Sequence, residues 1–180
     1  MKYPEFLARV KSATPPTDFL QRYGLDAEEI ETIQRAFNAA PRPSIPLGIV
    51  MGSEIEEMVV RHNCSSLEIG GIAFLDLPLH SEHGTIVARY EADPILVLTN
   101  GQIAMCDHAA LEHQIQCAAN SEQFLEALAA FIEIIRDRTI WVGRCAEAID
   151  MCSRLAGGSD YRTFFQSLCG SLSCERDPTA

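Results

Sequence analysis

Between residues 95 and 135 the hydrophobic pattern changes period. Ile95-Leu96-Val97-Leu98-Thr99 and Gln102-Ile103-Ala104-Met105-Cys106 are short apolar runs on either side of Asn100-Gly101. Asn-Gly in that setting predicts a β-hairpin, because a type I′ turn needs positive φ at both central residues. From Asn120 the spacing turns helical, and Phe124, Leu125, Leu128, Phe131, Ile132 and Ile135 fall on one stripe. Asn120 is placed to cap that helix, with Gln123 reaching back from N3 and Glu122 in the first turn. Arg136 and Arg138 suit its negative pole.

Upstream the same reading gives helices first. Residues 4–10 form a short helical segment closed before Pro15-Pro16, and residues 17–24 a second one ending at Gly24. Asp26 with Glu29 three residues on is a capping-box pattern, and Ile30, Ile33 and Phe37 share one face until the prolines at 41 and 43 stop the helix. Leu47-Gly48-Ile49-Val50-Met51 reads as a strand or as the lead-in to a helix over 54–61. Residues 67–75 read as one strand or two, with Gly70-Gly71 a bulge or bend. Residues 77–84 are expected to be a polar excursion, 85–90 a strand, and Asp93-Pro94 the turn into the hairpin. Two more helices are expected over 143–155 and 160–172, split by Gly157-Gly158. Helices, then an antiparallel run of strands, then helices predict an α+β fold with a central, mostly antiparallel sheet. No internal repeat or linker interrupts residues 1–180, so a single domain is expected.

Composition narrows the class. The chain is 47% hydrophobic and 22% charged, an ordinary globular balance. It holds no apolar run near the roughly 18 residues of a membrane span, and its first residues lack the apolar core of a signal peptide. A soluble cytoplasmic protein is expected. Seven cysteines without a CxxC pair suit reduced, structural thiols better than a disulfide or zinc framework. The net charge of −11 is unevenly spread: residues 41–100 hold three bases against eight acids, and residues 101–135 hold no base against five acids. Such a field repels phosphate backbones, so direct nucleic-acid binding is not expected, and it draws in basic partners. The bland reading, that acidity only serves solubility, stands beside this one. Residues 136–180 balance six bases against six acids and read as a neutral packing layer or a homodimer surface.

Candidate chemistry is sparse. Asp107, His108 and His113 hint at a metal cluster, yet Asp107 and His108 are adjacent and would point to opposite faces of a strand. His80 and His83 flank Glu82 in what reads as a solvated loop. Cys106 has no local base to make a nucleophile of it. Glu54, Glu56 and Glu57 read as a solvated helix face rather than paired acid–base carboxylates. With Lys2 and Lys11 the sole lysines, and no glycine-rich phosphate motif, a nucleotide-binding loop has no candidate. No catalytic residue, metal ligand or cofactor is therefore assigned.

The layout does resemble a known family. Tyr23-Gly24-Leu25-Asp26-Ala27-Glu28-Glu29-Ile30, then Pro46-Leu47-Gly48-Ile49, then Ser66-Leu67-Glu68-Ile69-Gly70, a hairpin, and Ala119-Asn120-Ser121-Glu122-Gln123-Phe124-Leu125-Glu126-Ala127-Leu128 follow in order. This order resembles the SUKH superfamily, α+β domains found widely as bacterial immunity proteins and related to a fungal cell-wall assembly regulator. The resemblance covers residues 17–135 and leaves 136–180 as a helical extension. It implies a non-enzymatic binding protein that neutralises a toxin, commonly a basic nuclease, by occluding its active site. Glu68, Asp76, Glu82, Glu91 and Asp93 on the sheet side are the interface residues expected on that reading. An adaptor or chaperone-like interaction domain is the first rival. A small hydrolase with a site assembled from distant residues is the second.

Overall fold

Three short helices open the chain: α1 (Tyr3–Ser12), α2 (Thr17–Gln21) and α3 (Ala27–Arg35). The structure, a computed structural model, describes residues 1–45, 51–109, 114–136, 141 and 143–173. Leu47-Gly48-Ile49-Val50, His113, Arg138 and Cys174 lie outside them. In α3 the capping box forms as the sequence predicts: Asp26 accepts from the Glu28 and Glu29 N–H groups, and Glu29 accepts from the Asp26 N–H at 2.9 Å. A two-residue strand β1 (Ala40–Pro41) pairs with β2 (His62–Asn63), which directly follows helix α4 (Glu54–Arg61). Glu56 of α4 departs from the solvated-face expectation. It is 6% exposed, and its carboxylate accepts from the Gly52 N–H and the Ser53 hydroxyl, both at 2.9 Å.

The core of the architecture is a curled six-stranded antiparallel sheet whose strands lie in chain order. They are β3 (Glu68–Ile69), β4 (Ile72–Ser81), β5 (Gly84–Tyr90), β6 (Asp93–Leu98), β7 (Ile103–Cys106) and β8 (Gln114–Ala118). Ile95 opposite Met105 and Val97 opposite Ile103 turn their side chains into the main core. Leu96 and Ala104, on the other face, are buried as well. The polar excursion expected over 77–84 is instead the second half of β4 and a two-residue reversal at Glu82-His83. Polar Asp76 and His80 and a register shift between Phe74 and Leu79 hide the strand from a period-2 reading. Asp93-Pro94 is the start of β6, and the reversal lies at Glu91-Ala92. A proline fits the first residues of a strand, where a ladder donor can be spared.

Two glycine-containing turns set the ends of these strands. The Asn100-Gly101 hairpin exists, but Gly101 alone takes positive φ, at 84°. The Gly101 N–H donates to the Leu98 carbonyl at 2.9 Å, closing a three-residue loop in place of a type I′ turn. Positive φ at both central positions occurs at Gly70 (57°) and Gly71 (85°), which form the tight β3–β4 turn, so residues 67–75 are two strands joined by a bend and the bulge alternative falls away.

Helix α5 (Ser121–Arg136) lies against the sheet, capped by Asn120, which accepts from the Gln123 N–H at 3.0 Å. Its buried set reaches beyond the expected stripe to Ala127, Ala129, Ala130 and Ile134, because α1, α4 and α6 (Cys145–Ala156) pack on it as well. Helix α7 (Arg162–Ser173) completes that side, with Phe164 and Phe165 fully buried. The fold is thus an α+β single domain, as the order of elements predicts. Among the described residues no helix is long and apolar enough to cross a membrane.

Candidate functional site

The sheet gathers some of the expected acidic residues and scatters others. Glu68 on β3, Glu91 in the β5–β6 reversal and Asp93 at the head of β6 come to the same end of the sheet. The β6–β7 ladder pairs Ile95 with Met105, so two residues further on it sets Asp93 across from Asp107. At about 4.8 Å per strand, the row from Glu68 to Asp107 spans roughly 20 Å. Asp76 lies mid-strand, where its carboxylate accepts from Arg42 at 2.6 Å and serves the fold. Glu82 sits at the opposite end of β4, beside His83 at 3.4 Å. Ten residues of strand separate the two ends by about 30 Å.

Two features mark the gathered end. Glu91 is held at φ 54°, a conformation that a residue with a Cβ adopts at a cost. His108, just past β7, donates its backbone N–H to Asp93 Oδ1 at 3.0 Å and brings Nδ1 to 2.7 Å from the same oxygen. Its hydrogen bond to Asp93 raises the His108 pKa, and the same bond lowers that of Asp93. Asp107 lies 3.9 Å from the same ring nitrogen. Asp93, Asp107 and His108 offer ligand atoms within 4.8 Å of one another. The 2.7 Å contact has the length of a charge-assisted hydrogen bond, which accounts for the cluster with no ion in it. Among the described residues, neither Glu68 nor Glu91 has an ion pair; the register of β5 puts Arg89 at this end, and Arg136 of α5 lies near Glu68.

A second feature escaped the sequence. A cleft of about 840 Å³ opens between α2, the β3–β4 turn and the end of α5. Phe19, Tyr23, Phe37, Ile69, Ile132 and Ile135 supply apolar walls, with Glu68 and Arg136 as the charged groups. A Cβ on Gly70 would strike the Phe131 ring, so glycine there lets the turn lie on α5 and shape the floor. The residues come from four distant stretches, and no local pattern unites them.

Five of the described cysteines are part of the interior, and Cys145 is half-buried. Cys64, Cys106, Cys117, Cys152 and Cys169 are buried. Burial pushes the Cys64 and Cys152 thiols up to about 12 and the Cys169 thiol up to about 11. Comparison with protein-family models, with curated proteins and with solved structures finds no match for this chain.

Proposed function

We propose that this protein is a non-enzymatic binding module of the SUKH immunity type, which neutralises a basic, nuclease-type toxin by covering its active site. The observation that carries the reading is the row Glu68, Glu91, Asp93 and Asp107 along one end of the sheet, in which neither Glu68 nor Glu91 makes an ion pair with another described residue. An enzyme that grips phosphates presents a basic surface. A carboxylate row that meets it speeds encounter and fixes register, and the chain's net charge of −11 adds long-range attraction. The resemblance of residues 17–135 to that family supports the same class.

The test is co-expression in a bacterial host with the toxin encoded beside its gene. The chain should restore growth and form a stoichiometric complex whose dissociation constant rises steeply with salt. Charge reversal by Glu91→Lys with Asp107→Lys should weaken that complex at least about tenfold, the factor worth 1.4 kcal/mol. Protection that survives the reversal, or binding indifferent to salt, removes the acidic row from the function.

A further inference from the structure

Phe19 and Tyr23 touch in a tilted pair, 5.1 Å between ring centroids, yet stay 46% and 72% exposed. Aromatic surface left in water forgoes the stabilisation that burial would bring, and side chains of this kind are the usual anchors of protein interfaces. They line the cleft with Ile69, Ile132 and Ile135, and its volume of about 840 Å³ has room for several large side chains. We infer that this cleft receives an apolar segment of the protein partner flanked by lysine or arginine, and that Phe19 and Tyr23 close on its anchor. The inference rests on the binding-module reading and names the partner chemistry that such a module would meet here.

Charge selects this occupant over a lipid or a plain apolar ligand. Residues 17–36, which carry both aromatics, hold five acids and two arginines. Both arginines are matched four residues back, Arg22 at the end of α2 to Asp18 at 3.7 Å and Arg35 to Glu31 at 2.6 Å. Asp26, Glu28 and Glu29 remain as net negative charge. Glu68 lines the cleft itself, and the Glu91 N–H donates to the Gly71 carbonyl at 3.4 Å, so the cleft runs into the carboxylate row. Arg136 lines the α5 side, so the acidic bias comes from the continuation of Glu68 into the carboxylate row rather than from the lining alone. An anchor with basic flanks therefore meets apolar walls and, at the β3–β4 edge, Glu68 and the carboxylate row beyond it.

The probe is a pair of short fluorescein-labelled peptides with one leucine–phenylalanine core, flanked by lysines in one and by glutamates in the other. Anisotropy with the full chain should show the lysine peptide binding at least about tenfold more tightly. Phe19→Ser with Tyr23→Ser should weaken it by about tenfold. Glu68→Lys should weaken it and flatten its salt dependence. All three side chains are exposed, and unchanged thermal melting verifies the fold of each variant. Equal affinity for the wild type and the Phe19–Tyr23 double variant overturns the inference, as does equal affinity for the two peptides. A lipid retained by the purified chain in native mass spectrometry and competing with the peptide overturns it too. Co-expression with the toxin separates the two readings. If the wild type protects and the double variant protects equally, the cleft falls while the binding module stands; if the wild type fails to protect, both fall.

Discussion

Helix α5 buries ten of its sixteen residues, from Ser121 to Ile134, whereas α3 buries Ile30 alone among nine. Each carries an apolar stripe at helical spacing. What differs is where the stabilisation comes from. Helix α5 is held by packing on the sheet, α1, α4 and α6, while α3 relies on its capping box and the Glu31–Arg35 pair at i and i+4. Tertiary burial of aromatic and aliphatic side chains costs kilocalories to disturb; caps and surface pairs cost about 1 kcal/mol or less. The helix pair beside the cleft is thus the part of the molecule that adjusts most cheaply to a partner, and α5 is the wall it adjusts against.

This contrast breaks if the two helices respond alike to substitution. Phe131→Ala, which empties a fully buried position of α5, should cost about 3–5 kcal/mol in urea denaturation. A loss under 1 kcal/mol would mean that α5 is not the anchor. Gly70→Ala comes next, at about 2 kcal/mol, because its methyl meets the Phe131 ring at a positive φ. Asp26→Ala should remove about 1 kcal/mol from α3 alone. Amide exchange there should quicken by about fivefold while α5 amides keep their rates. Equal acceleration in both helices would show that the pair unfolds as one unit.

The smallest effect is expected from titration at the sheet end. The folded His108 pKa is raised and that of Asp93 is lowered. The pair's contribution is therefore complete between the ordinary carboxylate and ordinary histidine ranges. It fades as pH rises through the raised His108 value, and also as pH falls through the lowered Asp93 value. The His108 side chain is 62% exposed and that of Asp93 33%, so solvent screens the pair and the global melting curve should hardly move. Proton NMR should find the His108 midpoint above the usual histidine value in the wild type and lower in Asp93→Asn; an unchanged midpoint would dissolve the pair.

Legibility in the sequence followed the range of the interactions. The Asp26–Glu29 box, the hairpin at Asn100-Gly101 and the stripe of α5 were readable because partners lie within a few residues. Strand β8, Gln-Ile-Gln-Cys-Ala, escaped notice because five alternating residues carry no turn signal of their own and gain their identity from β7. The residues at 77–81 escaped because a bulged strand with outward Asp76 and His80 looks like a loop. Of the acidic residues, Asp107 was the one within reach: counting outward from the hairpin loop places it across from Asp93. The cleft was out of reach, since Tyr23 and Ile132 meet only after the sheet and α5 have formed.

The strands from β3 to β8 each pair with the next in the chain, which bears on how the molecule is born. A ribosome adds about 5–20 residues per second, and a hairpin closes in roughly 1–10 μs. Each new strand thus has ample time to find its neighbour before the following one emerges. Helix α5 arrives after the whole sheet and ahead of α6 and α7, and α1, whose Phe6 and Val10 wait for it, has been outside the tunnel longest. During that interval Ile95, Val97, Ile103 and Met105 face water, and the nascent chain is most open to chaperones and to other copies of itself.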